Sequence, residues 1–193
     1  MKRLTCLVTI GGLVTGLSCK GATAPNPVSG NPPGGSSTAR VMLTDAPASD
    51  AAIQKVIVYI DHIDASASTD STTQSWVTLV SPRQRYDLLS LQNGTMALLG
   101  TATLPAAAIQ EIRVALNTDS SGVFRSDGSA VNVHWGYQGA IMIHALVESP
   151  LQPSSSEAQI VLDFNVANSF SPDTLGGAGS LNFLPWIRAT LTN

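Results

Sequence analysis

The sequence predicts an all-β domain, an antiparallel β-sandwich, on three observations. Apolar and polar residues alternate with a two-residue period along residues 39–193, with Val and Ile enriched at the apolar positions; that is the pattern of half-buried strands. Turn chemistry separates the runs, with Asn93-Gly94 and Asp127-Gly128 as tight-turn dipeptides. No window sustains a 3.6-residue apolar stripe with caps, so a helical alternative has little support.

Val41 and Leu43 alternate with Met42 and Thr44, and Val56, Val58 and Ile60 with Ile57, Tyr59 and Asp61. Further strands are expected at 75–80, 86–91, 95–99, 109–116, 122–125, 130–134, 140–147, 159–166 and 180–192. The alanine-rich stretch 104–110, after Pro105, is expected to form one helical turn. Many short strands spaced by roughly 8–12 residues, with no fixed-period repeat, argue a sandwich rather than a βαβ fold. An immunoglobulin-like or transthyretin-like arrangement in a single domain is expected.

The first residues carry an address. Met1-Lys2-Arg3 is a short positive segment, and residues 4–17 form an uncharged, mostly apolar run of 14 residues, where a spanning helix needs about 20. This is the layout of a secretory signal peptide, residues 1–18. The following Gly16-Leu17-Ser18-Cys19 resembles a bacterial lipobox, although the family pattern prefers Leu where Gly16 stands. That resemblance implies cleavage before Cys19 and its acylation. The competing reading is an ordinary signal peptide cut near Ala22 or Ala24. Of the two cysteines, Cys6 lies in the leader, so cleavage would leave Cys19 as a lone thiol; lipidation accounts for it. Residues 19–38 hold Pro25, Pro27, Pro32 and Pro33 among Gly, Ser, Thr and Asn. They cannot bury enough surface to offset ordering and read as a flexible tether. The expected location is a bacterial membrane, on the outer membrane, periplasmic side or cell surface, with the bilayer engaged through acylated Cys19.

Loss of Lys2 and Arg3 with the leader leaves 8 basic against 13 acidic side chains, a net charge of −5 for the acylated chain. With 12% of residues charged and no basic cluster, nucleic acid is not an expected partner.

Four blocks of the domain then carry a family resemblance: Thr44-Asp45-Ala46-Pro47; Asp87-Leu88-Leu89 running through Leu91 to Asn93-Gly94; Leu104-Pro105-Ala106 with Gln110-Glu111-Ile112-Arg113; and Leu162-Asp163-Phe164-Asn165-Val166 with Ser169, followed by Pro185-Trp186-Ile187-Arg188-Ala189. In order and spacing they resemble a family of bacterial and archaeal lipoprotein domains known as domain of unknown function 4382. Ala107 and Ile109 depart from it, where the family favours Gly and an aromatic residue. The resemblance implies an exported β-sandwich and brings no catalytic residues.

Asp45, Asp87 and Asp163 are polar residues inside apolar blocks. Carboxylates suit calcium or acid–base work, but each is expected to bond backbone N–H groups at a turn or corner. Arg113 and Arg188 join them as structural candidates. In Asp61-His62-Ile63-Asp64, strict alternation puts His62 and Asp64 on one face; a solvated strand end is expected. If the strands around 136–140 pair with Val133 opposite Ile143, His134 and His144 become diagonal neighbours, an incomplete ligand pair. Solvent-facing positions are expected for both. Trp76, Trp135 and Trp186 could stack sugars but are expected in core or corner positions, with Arg188 on the face of Trp186. Residues 176–179 read as a flexible hairpin loop, not a phosphate loop.

No Gly-x-Ser-x-Gly, His-Glu-x-x-His or cysteine pair occurs in the domain, and no catalytic residue, metal or cofactor is assigned. The leading expectation is a membrane-anchored binding or structural module of the envelope, with a glycan or protein partner. The alternative is a carboxylate- or metal-dependent hydrolase using Asp45, Asp61 or Asp163. A third is a subunit that adds strands to a partner.

Overall fold

The computed structural model describes residues 37–47, 53–104, 107–152, 158–175, 177 and 179–192. The signal peptide, Cys19 and the tether as far as residue 36 lie outside the described residues.

Within the unit Pro32–Asn193 the described elements are β1 (Thr38–Asp45), β2 (Ile53–Ser66), β3 (Val77–Val80), β4 (Gln84–Asp87), a 3-10 turn (Leu88–Leu91), β5 (Ala97–Thr103), β6 (Glu111–Arg125), β7 (Ala130–Val131), β8 (Val133–His134), β9 (Ala140–Ala145), β10 (Ala158–Phe164), α1 (Val166–Ser169), β11 (Phe170–Pro172), β12 (Leu181–Phe183) and β13 (Ile187–Thr192). The domain is all-β and sandwich-like, as the alternation predicts. One sheet runs β13-β10-β1-β5. The other runs β3-β2-β6-β7, with β4 also on β2 and β9 also on β6. Their inner faces share one core of fully buried side chains, among them Val41, Leu43, Ile60, Ile63, Ile112, Leu116, Ile160, Leu162 and Phe164. A small sheet, β11-β12-β8, adds Phe170, Phe183 and Trp135 at one end, with Trp135 and Phe183 ring centroids 4.8 Å apart.

Most pairs are antiparallel, but β1 lies parallel to β10 over seven registered pairs and β12 parallel to β8. Hairpin logic does not reach these strands, because β1 and β10 are separated in sequence by the whole second sheet. The two sheets touch at both flanks without closing into a barrel. Leu146, just past β9, exchanges backbone hydrogen bonds with β13 at Ile187 and Ala189 (2.7 and 2.9 Å). On the opposite flank Gly100 of β5 meets Val80 of β3, where a Cβ would lie 2.9 Å from Val80 Cγ1.

Four segments depart from the alternation. The strand expected over 86–91 ends at Asp87, and a 3-10 turn carries Leu88 and Leu91 into the core at i and i+3. The runs 109–116 and 122–125 are one strand, β6, whose excess residues beyond Asn117 bulge out where Tyr59 pairs Asn117 and Ile57 pairs Gly122. The strand expected over 180–192 breaks into β12 and β13 around Pro185, which has no N–H to give a ladder. The helical turn expected over 104–110 is absent where described: Ile109 bridges Leu151 and Gln110 N–H donates to Ser66 O (2.8 Å), with 105 and 106 outside the described residues.

Candidate ligand-binding face

The outer face of the second sheet gathers the polar side chains that β2, β3, β6 and β9 point away from the core. Asp64 pairs in register with Thr78 on one side and Arg113 on the other, and Arg113 with His144. Thr78, Asp64, Arg113 and His144 therefore form one row across four strands. Arg113 donates to Asp64 Oδ2 from Nε and Nη2 at 2.9 and 2.8 Å, and Thr78 Oγ1 donates to Asp64 Oδ1 at 2.7 Å. Trp76 lies over this row. Its ring centroid is 4.1 Å from Arg113 Cζ, a cation–π contact, and the His144 ring meets it edge-on at 5.6 Å. Gln74 Nε2 donates to Glu111 Oε2 (2.7 Å), which stands 3.5 Å from His144 Nδ1.

A bulge shapes the neighbouring row. Ile60 and Ile63 both point into the core, so two residues rather than one separate them, and the ladder shifts between Ile60 and His62. Asp61 and His62 both turn outward. His62 Nδ1 is 2.8 Å from Asp61 Oδ2, and its Nε2 is 3.5 Å from Asp64 Oδ2. The solvated strand end expected for residues 61–64 is corrected at Asp64: its side chain is 4% exposed, covered by its neighbours. The diagonal pairing of His134 and His144 does not form, while both stay solvent-facing as expected. β8 leaves the hairpin to pair with β12, so His134 stands opposite Asn182 and His144 opposite Arg113.

The carboxylates singled out in the sequence lie elsewhere. Asp45 ends β1, buried, accepting Val166 N–H at Oδ1 (2.9 Å) and Gln92 Nε2 at Oδ2 (3.0 Å). Its carboxyl is pushed up to about 6, chiefly by burial and a little by nearby Asp163, against the lowering pull of the two hydrogen bonds. Asp163, on β10, is opposite Arg188 of β13. Burial raises its pKa against the pull of Arg188 and of Ala46 N–H. Asp163 Oδ1 and Arg188 Nε, both shielded from solvent, have no hydrogen-bond partner among the described residues. Arg188 reaches Glu148 at 3.4 Å and stacks 5.3 Å from the Trp186 ring. Asp87 places Oδ1 3.4 Å from Val56 N and accepts Ser90 Oγ at its carbonyl (2.6 Å). Among the described residues no three His, Cys, Asp or Glu side chains converge as metal ligands.

The sequence reading passed over Asp64, Gln74 and Glu111 as partners of Trp76 and Arg113. The available signal was the pair of opposite charges, Glu111 and Arg113, at alternate outward positions of β6; Asp64 gave none, because its outward turn depends on the bulge after Ile60.

Fold and face together define an all-β sandwich domain with a rigid aromatic and polar platform on one sheet. The chain belongs to the family described as domain of unknown function DUF4382, whose model matches residues 36–185. No curated protein and no solved structure matches it.

Proposed function

We propose that the protein is an exported lipoprotein, acylated on Cys19, whose β-sandwich acts as a binding module in the cell envelope and meets its ligand with the Trp76–Arg113–His144 face. The leader and lipobox-like cysteine support the address. The observation that carries the binding role is the clamped row. Trp76 is fixed on Arg113, which is itself held by Asp64, so an aromatic ring stands partly exposed with little freedom left to lose on association.

Mass spectrometry of the mature N-terminus, with a Cys19→Ala control, tests the address: an acylated Cys19 is expected, and an unmodified terminus near Ala22 or Ala24 overturns it. A photo-reactive residue placed at Met142, beside His144, tests the face in intact cells. Adducts are expected there and not from Leu98 on the opposite sheet. Equal or absent labelling at Met142 overturns the face.

The hydrolase reading draws on the raised pKa values of Asp45 and Asp163. Against it, Asp45 is 3% exposed and both its oxygens already accept hydrogen bonds. That arrangement suits holding a sheet corner more than handing a proton to a ligand.

A further inference from the structure

Resting on that binding reading, we infer that the ligand of the Trp76 face is a saccharide, an uncharged sugar stacking its C–H face on the indole and donating hydroxyls to Glu111.

The ring comes first. Arg113 lies against one side of Trp76 at 4.1 Å and His144 meets it edge-on, so the side turned away from Arg113 is the one left to a ligand. A sugar ring presents a flat patch of polarised C–H groups of about the area of an indole. Such a patch suits the negative face of an aromatic quadrupole.

The rim supplies directional groups. Glu111 Oε2 is occupied by Gln74 and near His144 Nδ1, and Gln74 Nε2 is shared between Glu111 and Ser68 O. Glu111 Oε1, Gln74 Oε1 and His144 Nε2 keep hydrogen-bonding capacity beside the ring. Two of these are acceptors fixed by their own neighbours, which matches the donor-rich edge of a polyol.

Charge narrows the class. The guanidinium of Arg113 is matched by Asp64, and Glu111 leaves a carboxylate at the rim. An anionic sugar, a phosphate or a sulfate would meet that carboxylate without a cation to receive it. Exposed Met142 and Leu146 continue the outward row of β9 on either side of His144 and widen the apolar floor beyond one sugar unit.

The experiment takes the full mature chain in detergent to an array of neutral, acidic and basic oligosaccharides, with Trp76→Ala, Trp76→Tyr and Glu111→Gln alongside. Neutral oligosaccharides are expected to bind. Trp76→Ala and Glu111→Gln should each weaken binding at least tenfold, while Trp76→Tyr should stay within a few-fold of wild type. Should Trp76→Ala fail to fold, Glu111→Gln, which preserves shape, still decides. Retention of acidic glycans only, no glycan retained, or binding indifferent to both changes overturns the saccharide. If no glycan binds but Met142 labels an envelope protein in cells, the saccharide falls and the binding face stands. If neither is seen, both fall.

Discussion

Asp64 is nearly inaccessible, and its partners come from two other strands: the Arg113 guanidinium from β6 and the Thr78 hydroxyl from β3. A buried pair of this kind contributes little net stability against an apolar replacement, yet removing one member strands the other, at a cost of about 3–5 kcal/mol. Arg113→Met should therefore unfold at markedly lower urea, and Asp64→Asn combined with Arg113→Met should recover much of the loss. A double variant no better than the single one would mean that the charge pair is not the source. Asp45 is favoured in its neutral form. Its folded pKa, about 6, lies above the ordinary 3.8, so the folded protein holds the proton more tightly than the unfolded chain does. Its contribution is intact below about pH 4 and is lost as pH rises from there to about 6, a penalty on the order of 3 kcal/mol when complete. Asp45→Asn keeps an acceptor for Val166 N–H and removes the ionisation; Gln92 can turn its amide to match. The variant should be more stable than wild type at pH 8, with the gap closing towards pH 4. Urea titrations across that range check it, and an Asn variant uniformly less stable at every pH would refute the assignment.

Gly100 is where β5 meets Val80 of β3, and that contact leaves no room for a side chain. Val80 is buried and β-branched, so it cannot swing aside. Gly100→Ala should cost about 1–3 kcal/mol by overpacking, read as a lower urea midpoint with an unchanged slope; an unchanged midpoint would show that the two edges can part. Nothing in the sequence marks this glycine, because its tight contact comes from a strand in the other sheet and its positive φ from the register shift of β1 against β5. The same distinction runs through the other elements. Val56, Val58 and Ile60 announce β2 by their own spacing, and all three are buried. The bulge at Asp61 reverses the parity of everything after it, and alternation counted along one strand cannot detect it. Leu88-Leu89-Ser90-Leu91 has no two-residue period and becomes a 3-10 turn. Arg113 could be placed on an outward face from sequence, but Asp64 turns outward only through the bulge at Asp61, and their meeting depends on the β2–β6 register. The histidines show the converse: local hairpin logic joined His134 to His144, while β12 takes β8 away into a third sheet.

Because β1 sits between β5 and β10 and β10 between β1 and β13, the first sheet joins the first strand and the mid-chain β5 to two late strands and is completed only at the end of the chain. The family match stops at residue 185, before β13, yet Ile187 and Ala189 are 3% and 2% exposed. They pair with Phe164 and Leu162 on one side and bond Leu146 on the other. β13 thus covers the β10 edge and is the element through which Leu146 ties the second sheet to the first. A chain ended after Trp186 loses two core side chains and six ladder pairs, and it exposes β10, a strand apolar at all but Gln159 and Asp163, as a free edge. That exceeds what a domain stable by about 5–15 kcal/mol tolerates. The truncated protein should lack near-ultraviolet dichroism, be cut rapidly by protease and tend to aggregate. A peptide carrying residues 187–192, added in trans, should restore part of the order by completing the edge. A truncated chain that melts cooperatively at the wild-type temperature would show that β13 decorates the sandwich rather than closing it.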